Sequence, residues 1–316
     1  MSLSEKLKAA LESRRKREIL RRLPSPDKAD TSLVDFVSND YLSLASHAPL
    51  RDLFLRKLSD EPQILGSGGS RLLVNGSAHQ ALEDRLAIFF GSPAALLFNS
   101  GYDANVSFFT CIPQEGDIVI YDEYIHASVH DGVRASRVRQ SSIAFSHNSV
   151  QSLQKVLVTL IEASPGLKLG RNHVFIAVES LYSMDGTFAP LPKIIELLDH
   201  LLPAGNGHLI VDEAHATGLY GRQGRGLVSS WNLEEKVFAR LHTFGKALAS
   251  SGGTTKSFMP RSFLIRVKHS CHIDTTDRQG ISSELCKAPH IYNIIELSEH
   301  HCNWLLIRYV RGWICD

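Results

Sequence analysis

From about residue 78 onward, short apolar runs alternate with stretches whose apolar positions recur at helical spacing. Ala94–Phe98, Ile118–Tyr121, Ile143–Phe145, Val174–Val178, Leu209–Val211 and Phe238–Phe244 are too short for helices and are bounded by turn residues, which predicts buried strands. Between them, Ala78–Phe89, Ala104–Cys111, Ser149–Ile161 and Leu191–Leu201 read as amphipathic helices. This alternation predicts an α/β fold, a mainly parallel sheet with helices on both faces. Ahead of it, Leu3, Leu7, Leu11, Ile19, Leu20 and Leu23 predict a helix over Ser4–Leu23 that Pro24 and Pro26 stop. Arg14, Arg15, Lys16, Arg17, Arg21 and Arg22 make that helix basic. Glu5, Glu12 and Glu18 set it apart from a cleaved mitochondrial presequence, which is poor in acids.

Composition narrows the function classes. Of 316 residues 43% are hydrophobic, which excludes a disordered chain, and 34 basic against 33 acidic residues disfavour a polybasic nucleic-acid binder. No run of about 18 apolar residues occurs, so no membrane partner is expected. Five cysteines with no paired spacing argue against a disulfide framework, and four of them (Cys271, Cys286, Cys302 and Cys315) lie beyond residue 270. No secretory or lipidation signal is seen, and Ile314-Cys315-Asp316 is not a peroxisomal tripeptide. The expected location is cytoplasmic, or peroxisomal if a native carboxyl terminus has been lost.

In a parallel sheet, ligands bind beyond the carboxyl ends of the strands, so the residues just after each run carry the chemistry. Ser100-Gly101-Tyr102 opens a helix after the first run and suits a phosphate, although Ser100 alone is also an ordinary N-cap. His126 follows the second run, where an imidazole can stack on a ring or move a proton; a surface histidine is the plainer alternative. Glu179-Ser180-Leu181-Tyr182-Ser183-Met184-Asp185-Gly186 ends in a turn signal. Asp212-Glu213-Ala214-His215 sets an acid three residues before a histidine, with no second cluster of metal-ligand spacing nearby, so no metal is expected. Thr243-Phe244-Gly245-Lys246 ends the last run with a lysine that is either solvated or a Schiff-base former. No strand runs into Gly-x-Gly-x-x-Gly, which disfavours a dinucleotide-binding dehydrogenase. A lysine, an acid, an imidazole and a phosphate cradle together are the parts that pyridoxal 5'-phosphate requires.

Seven stretches in one order make the set specific: Ser38-Asn39-Asp40-Tyr41-Leu42, Gly66-Ser67-Gly68-Gly69-Ser70, His79-Gln80-Ala81-Leu82-Glu83, His126-Ala127-Ser128, Ser183-Met184-Asp185-Gly186, Asp212-Glu213-Ala214-His215 and Thr243-Phe244-Gly245-Lys246. With them the chain resembles the α-oxoamine synthase family, fold-type-I pyridoxal-phosphate transferases. His215-Ala216-Thr217-Gly218 with Gly224-Arg225-Gly226 is more similar to the biotin-pathway branch than to the haem-pathway branch. The resemblance implies that Lys246 holds the cofactor aldehyde and later acts as acid and base, and that Asp212 pairs with the ring nitrogen. His126 would cover the ring and help position substrate, and His215 and Ser183 would lie near the ring oxygen. Gly101, Tyr102 and Thr243 would line the phosphate, and Arg21 would contact an acyl-CoA. It implies a homodimer that condenses an amino acid, L-alanine in the biotin branch and glycine or serine in siblings, with an acyl-CoA such as pimeloyl-CoA.

The expected organisation is an amino-terminal helix and arm over 1–45, a cofactor-binding domain over 46–253, and a tail over 254–316. That tail does not match the family's small carboxyl-terminal domain, which is largely missing or replaced, and with it the family's carboxylate-binding arginine. Two expectations therefore compete: an active synthase whose tail substitutes for that domain, and a truncated homologue that is inactive or only binds the cofactor.

Overall fold

The computed structural model describes residues 1–21, 23, 34–62, 73 and 76–257. The Gly66–Ser70 motif and the tail beyond Ser257 lie outside the described residues. The chain divides after Ser38 into two units. The first holds helix α1 (Leu3–Lys16), which buries none of its residues. It is shorter than the leucine spacing predicts. Glu18 adopts a left-handed φ of 57°, and the N–H groups of Glu18 and Ile19 turn back to the carbonyls of Arg15 and Arg14, a Schellman stop. Arg21 thus lies beyond the helix it was expected to sit in, and is exposed.

The second unit runs α2 (Ala48–Asp60), α3 (Ser77–Phe89), β1 (Ala94–Phe98), α4 (Gly101–Cys111), β2 (Ile118–Asp122), α5 (Ala127–Ala135), β3 (Ser142–Phe145), α6 (Val150–Ala163) and α7 (Pro165–Lys168). It continues with β4 (Val174–Glu179), α8 (Leu191–Leu201), β5 (Gly207–Asp212), α9 (Leu227–Ser230), β6 (Ala239–Thr243) and β7 (Gly253–Ser257). The strands form one sheet in the order β1-β7-β6-β5-β4-β2-β3, parallel except for β7.

Strand alternation sorts the core onto two faces. Ile176 and Val178 of β4 and Leu209 and Val211 of β5 pack with Leu153 and Leu157 of α6 and with Leu191 and Ile194 of α8. Their neighbours Phe175, Ala177 and Ile210 face the other way, onto Phe108 and Phe109 of α4 and Val129 and Val133 of α5. Helices cover both faces, as expected.

Strand β7 was not legible as apolar, and it carries the sheet past residue 253. Its threonines are buried, and Thr254 donates from Oγ1 to the Leu96 carbonyl at 3.0 Å. Gly253 ends against the start of α4, where an added Cβ would lie 2.7 Å from the Gly101 nitrogen and 2.9 Å from its Cα. Gly253→Ala is expected to destabilise the fold by about 1–3 kcal/mol through overpacking against rigid backbone. Urea unfolding checks this: a lower midpoint at unchanged slope is expected, and an unmoved midpoint refutes the close contact.

Candidate active site

Parallel register brings two carboxylates side by side. Glu179, the last residue of β4, pairs with Asp212, the last residue of β5. Both are buried. Asp212 accepts the Ala214 N–H at 2.9 Å and the Asn105 amide at 2.8 Å. The nearby backbone N–H groups of Ser183 and His126 favour the charged form of Glu179. Burial, reinforced by the Asp212 charge, pushes its carboxyl above the ordinary range.

Lys246 sits on the connection between β6 and β7. Phe244 and Leu248 are buried in the core against α3 and anchor this connection, which also closes on itself. Phe244 donates to the Gly252 carbonyl at 3.0 Å, Ala249 to that of Lys246 at 2.8 Å and Ser250 to that of Phe244 at 2.8 Å. Burial lowers the Lys246 ammonium, while Asp212 and Glu179 pull it the other way. Its Nζ lies 2.7 Å from Nε2 of His215. Burial first, then the charges of Lys246 and His126, hold His215 down to about 4, so its ring is neutral near pH 7.

The donors then run in one direction. Lys246 donates to Nε2 of His215, whose Nδ1 lies 2.9 Å from the Tyr41 hydroxyl, and that hydroxyl donates to Oδ1 of Asn39 at 3.0 Å. Tyr41 has one hydrogen and gives it to Asn39, so Nδ1 of His215 is the protonated nitrogen.

The opposite rim is built by α4 and α5. Ser100 caps α4, accepting the Asp103 N–H at 3.0 Å. The intrahelical ladder begins only with Ala104 donating to Ser100, which leaves the Gly101 and Tyr102 N–H groups at the positive helix end. Gly101 is packed so closely that a Cβ there would meet Thr243 Cβ at 3.0 Å and Oγ1 at 3.2 Å. Tyr102 stands edge-on to His126, ring centroids 5.9 Å apart, and donates its hydroxyl to Asp131. His126 caps α5 with an exposed ring.

Ser183 is exposed, in a loop tied to the sheet through His147. That ring lies 2.8 Å from the buried Asp122 carboxylate and 3.1 Å from the carboxylate of Asp185. The fold therefore brings Lys246, Asp212, His215, His126, Gly101, Tyr102, Thr243 and Ser183 to the carboxyl ends of the parallel strands. Arg21 belongs to the separate first unit.

Several members of the site carried no assigned role in the sequence reading: Glu179, Asn105, Ser128, Tyr41 and Asn39. The signal for Glu179 was present, an apolar run closing on an acid. Glu213 has a structural place instead. Its buried carboxylate accepts the first N–H groups of α9, from Leu227 at 2.8 Å and Val228 at 2.7 Å, and burial raises it to about 7. Among the described residues no group of three or more His, Cys, Asp or Glu is placed to hold a metal ion. No described helix is long and apolar enough to cross a membrane.

Residues 31–260 match the family described as aminotransferase class I and II. The chain is 50% identical over 257 residues to an 8-amino-7-oxononanoate synthase from Emericella nidulans, covering 79% of this chain and 60% of that one. It thus spans about three-fifths of that relative's length. A serine palmitoyltransferase from Sphingomonas wittichii superposes with a TM-score of 0.66 at 26% identity, over 86% of this chain and 60% of that one. A structure of SPT with a PLP internal aldimine superposes with a TM-score of 0.67 at 25% identity, over 86% and 61%.

Proposed function

The chain belongs to the aminotransferase class I and II family, and from that premise we propose that it is a pyridoxal-phosphate-dependent C-acyltransferase of the α-oxoamine synthase type. Its reaction would join an amino acid to an acyl-CoA, release carbon dioxide and CoA, and yield an α-oxoamine. L-Alanine and pimeloyl-CoA are the preferred pair, giving 8-amino-7-oxononanoate. The carrying observation is Lys246, whose ammonium is lowered by burial, with its Nζ 2.7 Å from a neutral imidazole and the Asp212 carboxylate nearby.

The donor set suits the cofactor. The close-packed Gly101, the α4 N–H groups and the Thr243 hydroxyl form a cradle for its phosphate. Asp212, held by Asn105 and Ala214, would keep a proton on the ring nitrogen. When bound, the cofactor supplies a protonated ring that takes up the electron pair left on the amino-acid α-carbon. Lys246 would hold the aldehyde and would move the α-proton; its lowered basicity leaves a larger share of the amine able to accept one. His126 would cover the ring and help to orient substrate. His215 and Ser183 would lie near the ring oxygen. Arg21 would meet the anionic acyl-CoA, and a homodimer is the working assembly.

Likeness to a serine palmitoyltransferase supports a second reading, with serine and a longer acyl-CoA. A thiol-release assay on the cofactor-loaded chain, crossing alanine, glycine and serine with pimeloyl-CoA and palmitoyl-CoA, decides between them. Turnover with alanine and pimeloyl-CoA is expected. Turnover confined to serine or glycine moves the assignment to a sibling activity, and cofactor binding without turnover identifies a binding-only homologue.

A further inference from the structure

We propose that Asn105 and Ser128 are positioning residues that hold His126 with its ring proton on Nε2 and join it to the Asp212 carboxylate, an inference that rests on the functional reading above. Asn105 is buried on α4, its Nδ2 2.8 Å from Oδ2 of Asp212 and 3.0 Å from Oγ of Ser128. A carboxylate only accepts, so the amide nitrogen of Asn105 must face it, and its second hydrogen goes to Ser128. The Ser128 hydroxyl is then free to give its own hydrogen to Nδ1 of His126, 2.7 Å away.

A second donor agrees. His126 is the N-cap of α5, and its Nδ1 also accepts the Ser128 backbone N–H at 3.2 Å. A ring nitrogen facing two donors carries no proton, so the proton of the neutral ring sits on Nε2. No described residue bonds that Nε2–H, and the ring is exposed, so it is the hydrogen His126 offers to cofactor or substrate. Ser128 is 0% and Asn105 2% exposed, so turning either one breaks a hydrogen bond that water cannot replace. The face-covering imidazole and the ring-nitrogen carboxylate are thereby oriented by one network.

Nitrogen-15 NMR of the histidine-labelled full chain, without cofactor, tests this, with the His126 resonances identified by their loss in His126→Gln. The expected wild-type ring is bare at Nδ1 and protonated at Nε2. Asn105→Ala, which does not touch the ring, is expected to release the Ser128 hydroxyl and let the two tautomers average. It should also weaken pyridoxal phosphate binding about tenfold, the worth of one buried hydrogen bond. Ser128→Ala keeps the backbone donor and loses the hydroxyl, and should move the Nδ1 resonance in the same direction by less.

A wild-type ring protonated at Nδ1 or already averaged overturns the proposal. So does an unmoved His126 signal in both variants when their circular dichroism is native. If Asn105→Ala fails to fold, the wild-type tautomer and Ser128→Ala decide alone. Failure of the wild type to bind pyridoxal phosphate would sink the functional reading while leaving the tautomer result in place.

Discussion

Lys246→Ala is expected to lower turnover by roughly 10⁴-fold, since it removes the residue proposed both to hold the cofactor aldehyde and to move the α-proton. The loss should not come from unfolding. Lys246 lies on a connection anchored by Phe244 and Leu248, and its own side chain is only half-buried. Thermal unfolding should therefore shift little, whereas borohydride reduction of the cofactor-loaded chain should fix the cofactor to the peptide carrying Lys246. No peptide of the alanine variant should be labelled. Label on another lysine, or turnover within tenfold of wild type, would remove Lys246 from the role proposed for it.

Asp212→Asn should cost about 10³-fold in turnover through loss of the fixed charge proposed to pair with the ring nitrogen. Shape is conserved, but hydrogen bonding is not. Asp212 accepts from both Asn105 and Ala214, and an amide must turn its NH₂ toward one of these donors. The pH dependence has a definite sign. The Asp212 charge raises Lys246 against the lowering by burial, so its removal lets the ammonium fall further. Cofactor capture requires the free amine, and its midpoint should move to lower pH in Asp212→Asn and stay near wild type in Asp212→Glu. A midpoint that rises, or an equal shift in both variants, would mean that the carboxylate does not act on Lys246 through its charge.

The two variants probe residues that differ in how they can be found. Lys246 and Asp212 both follow apolar runs, and a run of β-branched and aliphatic residues reports burial directly. That signal also delimited β1 and α8 without change. It fell short at β2, β4 and β5, each of which extends one polar residue further, to Asp122, Glu179 and Asp212. Apolarity ends before the hydrogen-bond ladder does, because the sheet's carboxyl rim is where charge is kept. The same limit hid β7, whose buried threonines replace apolar burial with β-branched packing. It hid α5 as well, a short helix of small and polar residues capped by His126. Leucine spacing overran α1 because periodicity carries no information on the left-handed turn at Glu18.

By itself the chain determined the α/β alternation, the strand ends on which reactive side chains sit and the order of motifs that marks the family, all of which depend on local patterning and near neighbours. Only the tertiary structure decided that Glu179 stands beside Asp212, that Lys246 contacts a neutral His215 tied to Tyr41, and that Asn105 bridges α4 to β5. Those pairings join residues far apart in sequence, and strand register and burial select them. A carboxylate or an imidazole takes its protonation and its partner from the neighbours that register supplies.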